Sequence, residues 1–229
     1  MSLYAWVLLL SFLGPFFLSF DKKVAFYHKW KHLLLPLFFV SVPFIFWDHF
    51  FTELGLWGFT QRYIGGWFLG SLPIEECLFF VVVPYNCVFI YEVLGKYFTI
   101  EMKTRFNACF FVVFIFAGLA LVLGNLGAWY TMTAVPFALS IALVLWLLNP
   151  KWLTHFIFTY LVCLIPFLIV NGVLTGAVTQ GPIVWYHPTG FSGIRMVTIP
   201  VEDLFYNFDL LLGTVVFYNL SKNLFLSQK

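Results

Sequence analysis

The sequence predicts an all-α polytopic membrane protein with seven transmembrane helices, arranged as two three-helix parallel repeats joined by a linking helix. Three observations support this fold class. Hydrophobic residues make up 62% of the 229 residues and charged residues only 10%, whereas about a quarter of a soluble domain is charged. Long apolar runs follow one another along the chain. An acidic motif also occurs twice, as SLPIEE at 71–76 and TIPVED at 198–203.

The apolar runs predict the seven helices. A helix needs about 20 mainly apolar residues to cross the hydrocarbon core of a bilayer. The runs are continuous rather than alternating, which favours helices over the strands of a barrel. Prolines inside several runs are expected to loosen the helices without abolishing them. The predicted spans are 3–20, 31–50, 73–93, 105–124, 129–148, 152–171 and 200–220.

The basic residues predict the orientation of these spans. With the N-terminus outside, the outer segments carry only Arg62 and Arg195, and the rest of the 12 Lys and Arg residues fall on inner segments. This asymmetry follows the positive-inside rule and places the C-terminus in the cytoplasm. The expected location is the bacterial inner (plasma) membrane. The net charge of +2 is too small to favour nucleic acid as a partner.

The acidic motif belongs to an internal repeat. When Pro73 is aligned with Pro200, six consecutive positions match in chemical type, and later aromatic positions match at the same offset. Such a match indicates duplication. It predicts a first half at 1–104, a linking span at 105–127 and a second half at 128–229. Because the linking span gives both halves the same direction, both motifs are expected to begin helices at the outer face and to converge on one site.

Each motif places two acids in the first turn of a helix, because its proline suits the first helical position. The first acidic pair is Glu75 and Glu76, and the second acidic pair is Glu202 and Asp203. Acids in a first turn can simply complement the helix dipole. A repeated pair at a bilayer face favours function, since intramembrane acids are costly. Adjacent carboxylates in a poorly solvated site cannot both ionise easily, so they can supply a proton donor and an acceptor. Arg195, which precedes the second motif, is the expected counter-charge.

Further polar residues are predicted to support the acidic pairs. On the last span, Tyr206 and Asp209 share a helical face with Glu202. A polar stripe at this depth should point into the helix bundle. Asp48 and Asn171 end the second and the sixth span, at matching places in the two halves. These two residues either complete the site or cap their helices.

Two long outer loops, at 51–72 and 172–199, are rich in glycine and aromatic residues. Loops of this length in a compact protein are usually functional or disordered. Their aromatic content argues against disorder, so they are predicted to be interfacial or re-entrant segments that cover a cavity.

The remaining polar groups predict no metal site and no cofactor. The four cysteines lie inside apolar runs without metal-ligand spacing, and no GxGxxG motif follows a strand. Glu92 and Lys96 are spaced as an ordinary helical ion pair.

The paired motif resembles that of the integral-membrane lycopene β-cyclases of bacteria, archaea and fungi, in which two homologous halves each carry P-x-E-[ED]. The matching stretches are PIEE at 73–76 and PVED at 200–203, and the resemblance covers essentially the whole chain. The chain looks like the fused two-half form without the phytoene synthase domain of fungal members. Upstream residues that also fit the two half patterns are Asp48, Trp57, Phe59 and Trp67, followed by Asn171, Leu174, Thr175, Tyr186 and Arg195.

The resemblance implies an intramolecular lyase or isomerase that closes the linear ψ-ends of lycopene into β-rings. A protonated carboxyl would add a proton to C2, the C5–C6 double bond would attack the resulting C1 cation, and a base would remove the C6 proton. The two acidic pairs would form the acid/base set, supported by Arg195 and Trp67, and no cofactor would be needed. The implied partners are lycopene or a similar apolar carotenoid and membrane lipids; association with other carotenoid enzymes stays open.

Two other classes of membrane protein fit the residues poorly, and two further functions remain open. A rhodopsin-like receptor needs a lysine in the last span, and 200–220 contains none. A prenyltransferase needs aspartate-rich motifs and more basic residues than Arg62 and Arg195 at the acidic face. A cyclase of a related C50 carotenoid remains open, and so does a proton-coupled transporter, which acids such as Asp209 and parallel repeats would suit. The fate of lycopene on co-expression discriminates between the enzyme and the transporter.

Overall fold

The computed structural model describes residues 1–99, 101 and 103–226. Lys229, one of the basic residues that the sequence assigns to the inner side, lies outside the described residues. Seven helices follow one another in the described chain. They are α1 (Leu3–Leu18), α2 (Phe26–Glu53), α3 (Ile74–Tyr97), α4 (Thr104–Gly124), α5 (Trp129–Leu148), α6 (Leu153–Leu174) and α7 (Glu202–Leu226).

These helices confirm the predicted fold class. The five helices from α2 to α6 are long and apolar enough to cross a membrane, and α1 is a shorter apolar helix of 16 residues. Each of the seven predicted spans overlaps one helix. The chain is therefore an all-α polytopic membrane protein.

Helix α2 is irregular along its length. It begins as a 3₁₀-helix at Phe26–Leu33, passes through a π-helical turn at Leu37–Ser41, and ends as an α-helix at Val42–Glu53. Pro36 and Pro43 flank the π-helical turn. A proline has no amide hydrogen to donate to the preceding turn, so the regular hydrogen-bond ladder cannot continue through these positions.

The described chain divides into two compact units. The first unit contains Met1–Leu54, Phe59–Thr99 and the described residues from Leu210 onwards, and in it α1 packs along α3. Its largest fully buried side chains include Tyr4 and Tyr218. The predicted limits of the two halves and the linking span stay a prediction.

The second unit contains Gly55–Gly58 and the described residues between 101 and 209. Helices α4 and α5 pack along each other in this unit, and α6 packs against α4. Its core is aromatic, with Phe156 and Phe208 fully buried at ring centroids 5.5 Å apart. The first two turns of α7, which carry the second acidic pair, belong to this unit.

Short β-hairpins precede α3 and α7. The strands of the described chain are β1 (Trp57–Phe59), β2 (Phe68–Leu69), β3 (Leu72–Pro73), β4 (Val184–Tyr186), β5 (Arg195–Met196) and β6 (Ile199–Pro200). Strand β2 pairs antiparallel with β3, and β5 pairs antiparallel with β6. Both hairpins lie at the ends of the long loops that the sequence assigned to the outer side, and each ends on the proline that was predicted to begin the next span.

The two hairpins have the same backbone geometry at matching positions of the repeat. In the first, the Ile74 amide donates to the Trp67 carbonyl at 2.9 Å; in the second, the Val201 amide donates to the Ile194 carbonyl at 3.1 Å. The structural repeat thus extends well beyond the six matched motif positions, into loops of little sequence similarity.

The two motif prolines lie before the helices rather than at their first position, so that prediction was wrong. Pro73 pairs with Phe68 and has an extended backbone with ψ 148°, and Pro200 pairs with Arg195. A two-residue hairpin strand tolerates proline because its amide is not needed in a longer ladder. The prediction that both acidic pairs lie in the first turn of their helices is confirmed.

Val197 occupies a strained position in the second hairpin turn. Its φ is 59°, and the matching residue of the first hairpin, Gly70, has φ 63°. The left-handed region costs an ordinary residue about 1–2 kcal/mol, and the first central position of this type of two-residue turn favours glycine. Val197 is also 83% exposed, so its side chain gains little from packing.

We therefore expect Val197→Gly to raise the free energy of unfolding by up to about 1 kcal/mol, because relief of strain exceeds the entropic cost of a new glycine. Thermal unfolding of the purified protein in detergent measures the effect. The control is Val178→Gly, at a residue that is 75% exposed and has no positive φ; it should leave stability unchanged or lower it. A lower unfolding temperature for Val197→Gly would contradict the interpretation.

Candidate active site

The first acidic pair is buried and held by donors from the same unit. Glu75 is 3% exposed and Glu76 is 7% exposed. The Ser2 hydroxyl donates to Glu75 Oε1 at 2.5 Å, and the Gly65 amide donates to the same oxygen at 2.7 Å. Tyr4, in the first turn of α1, donates its hydroxyl to Glu76 Oε2 at 2.6 Å. Among the described residues, Glu75 Oε2 has no hydrogen-bond partner.

Glu202 in the second acidic pair is held in the same way as Glu75. It is 0% exposed. The Thr131 hydroxyl donates to Glu202 Oε1 at 2.5 Å, and the Ser192 amide donates to the same oxygen at 2.7 Å. Glu202 Oε2 is buried and has no hydrogen-bond partner within the described part of the chain.

Asp203, the other member of the second acidic pair, is bound by two tyrosines. Tyr130 donates to Asp203 Oδ1 at 2.7 Å, and Tyr186 donates to Oδ2 at 2.9 Å. The ring of Trp57 lies against both tyrosines, with centroid distances of 5.1 Å and 6.0 Å. Both oxygens of Asp203 are therefore occupied by hydroxyl donors.

The amide donors to the two glutamates occupy matching positions of the repeat. Each precedes a glycine in the left-handed region, Gly66 with φ 79° and Gly193 with φ 78°. Such a glycine allows the sharp turn that brings a loop amide to the start of the next helix. Gly65 and Ser192 thus have the same function in the two loops, although one is glycine and the other serine.

Each hairpin is also tied to the helix that precedes it. In the first loop, the His49 ring nitrogen and the Ser71 hydroxyl are 2.6 Å apart. In the second loop, the hydroxyls of Thr175 and Thr198 are 2.7 Å apart. These contacts fix the position of each hairpin, and with it the position of the amide that binds the glutamate.

Most of the donors were not among the predicted site residues. Ser2, Tyr4, Tyr130 and Thr131 lie near the start of the first helix of each half, and their partners are between 71 and 73 residues away. Tyr186 was named only through the family resemblance. A hydroxyl residue within two positions of a tyrosine, at the start of an otherwise apolar helix, was the available signal.

Arg195 lies near the second acidic pair without contacting it directly. Its guanidinium lies over the ring of Phe191 at 4.6 Å and over that of Tyr186 at 5.8 Å, and it donates to the Thr198 carbonyl at 2.5 Å. Tyr186 is therefore a shared neighbour of the predicted counter-charge and of Asp203.

Asp209 and Tyr206 follow the second acidic pair along α7. Asp209 is 4% exposed, and neither of its carboxylate oxygens has a hydrogen-bond partner among the described residues. The Tyr206 ring lies edge-on to the ring of Tyr130 at 6.2 Å. Both residues belong to the second unit together with Asp203.

The other predicted supporting residues have differing surroundings. Asp48 is 6% exposed near the end of α2, in the first unit. Asn171 is half-buried in α6, and its carbonyl accepts a hydrogen bond from the Thr175 hydroxyl at 2.7 Å. The Trp67 side chain is 79% exposed.

Within the described residues, no group of three or more His, Cys, Asp or Glu side chains is arranged to hold a metal ion.

Two buried acidic pairs at the starts of α3 and α7, in a chain with five helices long and apolar enough to cross a membrane, define an integral membrane protein with titratable groups in apolar surroundings. The sequence model of the family described as lycopene cyclase matches residues 1–94 and 127–221, which is most of the chain. Each matched segment contains one acidic pair. The chain belongs to the lycopene cyclase family, as the resemblance predicted.

One curated protein matches over a shorter stretch. A bifunctional lycopene cyclase/phytoene synthase of Aspergillus oryzae (strain ATCC 42149 / RIB 40) is 26% identical over 73 residues, which is 32% of this chain and 12% of that protein. The match thus spans only a small part of the relative's length. No solved structure matches the chain.

Proposed function

We propose that this protein is a lycopene β-cyclase, which closes the linear ends of a carotenoid into β-rings by carboxylate acid/base catalysis. The observation that carries the proposal is the repeated arrangement in which a buried glutamate at the start of a membrane helix presents one oxygen without a protein partner. Membership of the lycopene cyclase family supports a role in carotenoid cyclisation. The proposed enzyme class is an intramolecular lyase or isomerase.

The proposed reaction is balanced without a redox partner. A carboxyl transfers its proton to C2 of the terminal double bond, whose electron pair forms the new C–H bond and leaves a cation at C1. The electrons of the C5–C6 double bond form the C1–C6 bond and leave a cation at C5. A carboxylate then removes the C6 proton, and the released electron pair restores a C5–C6 double bond. One proton enters and one leaves for each ring.

The surroundings of the acidic pairs suit this chemistry. Their carboxyl groups are buried, so little water competes for the carbocation. Hydrogen bonds from hydroxyl and amide groups hold them in place before the substrate binds, which lowers the cost of reaching the reactive geometry. The expected substrate is a polyene hydrocarbon that enters from the membrane.

We further propose that the N-terminus lies outside and the C-terminus in the cytoplasm, in a bacterial inner membrane.

Expression in bacterial cells that accumulate lycopene tests the function. We expect a cyclic pigment with the mass of lycopene and an absorption spectrum shifted to shorter wavelength, because the product is an isomer whose ring double bonds are twisted out of the plane of the polyene. The double variant Glu75→Gln with Glu202→Gln is the matched inactive control. Unchanged lycopene in cells whose membranes contain the folded protein would contradict the proposal, and conversion of a C50 carotenoid alone would reassign the substrate.

Isotope labelling tests the mechanism separately. When membranes convert lycopene in D₂O, we expect each new ring to gain one deuterium at C2, because the added proton comes from an exchangeable carboxyl and the lost proton comes from carbon. Mass spectrometry of the purified product measures this. Reisolation of the product from D₂O after cyclisation in H₂O controls for exchange after the reaction. A product without deuterium would contradict proton addition by a carboxyl.

A further inference from the structure

The two members of each acidic pair differ in how their oxygens are used. In the first acidic pair, both donors to Glu75 bind Oε1, and Oε2 is left buried without a partner among the described residues. In the second acidic pair, Glu202 repeats this pattern atom for atom. The first residue of each pair therefore has one anchored oxygen and one buried oxygen without a donor among the described residues.

The second member of each pair is bound by tyrosine instead. Asp203 accepts a hydroxyl on each of its two oxygens, from Tyr130 and Tyr186. Glu76 accepts the Tyr4 hydroxyl, which reaches it from the first turn of α1. Tyr130 likewise lies in the first turn of α5. In both halves the second acid thus connects the helix of the motif to the first helix of the same half.

The unpartnered Oε2 atom occurs at the glutamates of both motifs and is therefore not peculiar to one loop. A buried carboxylate oxygen without a donor carries a desolvation cost, and native proteins rarely retain such a group without a reason. This desolvation cost occurs at both Glu75 and Glu202, although the hydroxyl donors to their Oε1 atoms differ in type and in position along their helices. Two different sets of neighbours that leave the same oxygen free indicate that the free oxygen is used.

We propose, on the basis of the cyclase function proposed above, that Glu75 and Glu202 are the catalytic residues that exchange protons with the carotenoid. Glu76 and Asp203 are positioning residues, which hold the first helix of each half against the motif. A proton on a catalytic glutamate resides on Oε2, because Oε1 already accepts two hydrogen bonds. A glutamate in its protonated form transfers this proton from Oε2 to C2 of the substrate, and a glutamate in its ionised form accepts the C6 proton on Oε2.

Matched amide variants test this division. Wild type, Glu75→Gln, Glu202→Gln, Glu76→Gln and Asp203→Asn are compared in membranes supplied with lycopene, with the rate divided by the amount of folded protein. We expect the first two variants to lose at least about 1,000-fold in rate, the size of a lost general acid or base. We expect the other two to lose about tenfold or less, because the amide oxygen of Glu76→Gln can still accept the Tyr4 hydroxyl and that of Asp203→Asn can still accept one of its two tyrosine hydroxyls.

Conservative acid replacements separate chemistry from structure. Glu75→Asp and Glu202→Asp retain a carboxyl, so they should recover part of the rate lost in the amide variants and shift its pH profile. Glu76→Asp and Asp203→Glu exchange the residue types that the two halves already use at this position, and we expect wild-type pH profiles from them.

Several results would overturn the division of labour. One is a loss in Glu76→Gln or Asp203→Asn as large as that in the glutamate variants; another is near-normal turnover by Glu75→Gln or Glu202→Gln. The division would also be overturned if Glu75→Asp and Glu202→Asp, in folded protein, both turned over lycopene no faster than the corresponding amide variants. A folded wild type that leaves lycopene unchanged would overturn the proposed function itself, and the division of labour with it.

Discussion

Replacement of Gly65 by alanine is expected to lower the rate of lycopene cyclisation about 100-fold, the size of effect that a misplacement of about 1 Å can have on a catalytic group. The Gly65 amide donates to Glu75 Oε1 at 2.7 Å, and a Cβ atom at this position would come within 2.8 Å of the same oxygen. Such a contact is too short to persist, so the carboxylate must move.

The protein should still fold with this change. Gly65 does not lie in the left-handed region, so alanine can adopt its backbone conformation without strain. The obstructing atom is the end of a flexible side chain, which can swing away without moving α3 or the hairpin. We therefore expect a loss of activity with little change in the free energy of unfolding, a combination that general destabilisation does not produce.

The measurement is the initial rate of lycopene consumption in membranes, divided by the amount of folded protein, together with thermal unfolding in detergent. Gly181→Ala is the matched control, because a Cβ there meets nothing within 4 Å and the backbone is also unstrained; it should behave as wild type. Normal turnover by Gly65→Ala would show that the position of the Glu75 carboxylate does not matter for the reaction.

The helices and the acidic pairs could be predicted from the sequence because both are local signals. A run of about 20 apolar residues predicts a membrane helix by itself, and the repeated motif places acids at helix starts without information from elsewhere in the chain. The hairpins were harder to predict, since two-residue strands leave almost no periodic signal. Val197 even has a residue type that argues against the turn that it occupies.

The donors could not be predicted, because they depend on which helix starts lie beside the motif. Ser2 and Tyr4 stand on either side of a leucine in the first half, whereas Tyr130 and Thr131 are adjacent and in the opposite order in the second. Alignment of the halves at the motif offset therefore does not match them. Ser2 and Thr131 donate to the same oxygen, Oε1, of Glu75 and Glu202 from different sequence positions. Only the packing of the helices reveals that these donors are equivalent.

The interpretation of Glu92 as an ordinary helical partner of Lys96 was wrong. In the first unit, Glu92 forms salt bridges with Lys29 and with Lys222, the latter at 2.9 Å, and it accepts the Tyr218 hydroxyl at 2.8 Å. Its side chain is only 11% exposed. This carboxylate therefore connects α2, α3 and α7, and both of its lysine partners are distant in sequence.

Glu92→Gln is expected to lower the free energy of unfolding by about 2 kcal/mol, because two ammonium groups lose their counter-charge in a site with little access to water. The lysines are 35% and 32% exposed, so solvent limits the loss below that of a fully buried ion pair. Thermal unfolding in detergent measures the effect. Glu53→Gln, at an exposed acid that ends α2, is the control and should be nearly neutral.

Thermal unfolding, measured together with turnover per folded molecule, separates structural acids from catalytic ones. The donors to Glu75 and Glu202 are neutral hydroxyl and amide groups. Replacement of either glutamate by glutamine therefore removes a titratable group without leaving a cation unpaired. The donors to Glu92 include two cations, so its replacement should lower stability while each folded molecule keeps its turnover. If folded Glu92→Gln lost activity as completely as Glu75→Gln, a titratable group in the membrane would be needed beyond the acidic pairs, and burial alone would no longer distinguish catalysis from architecture.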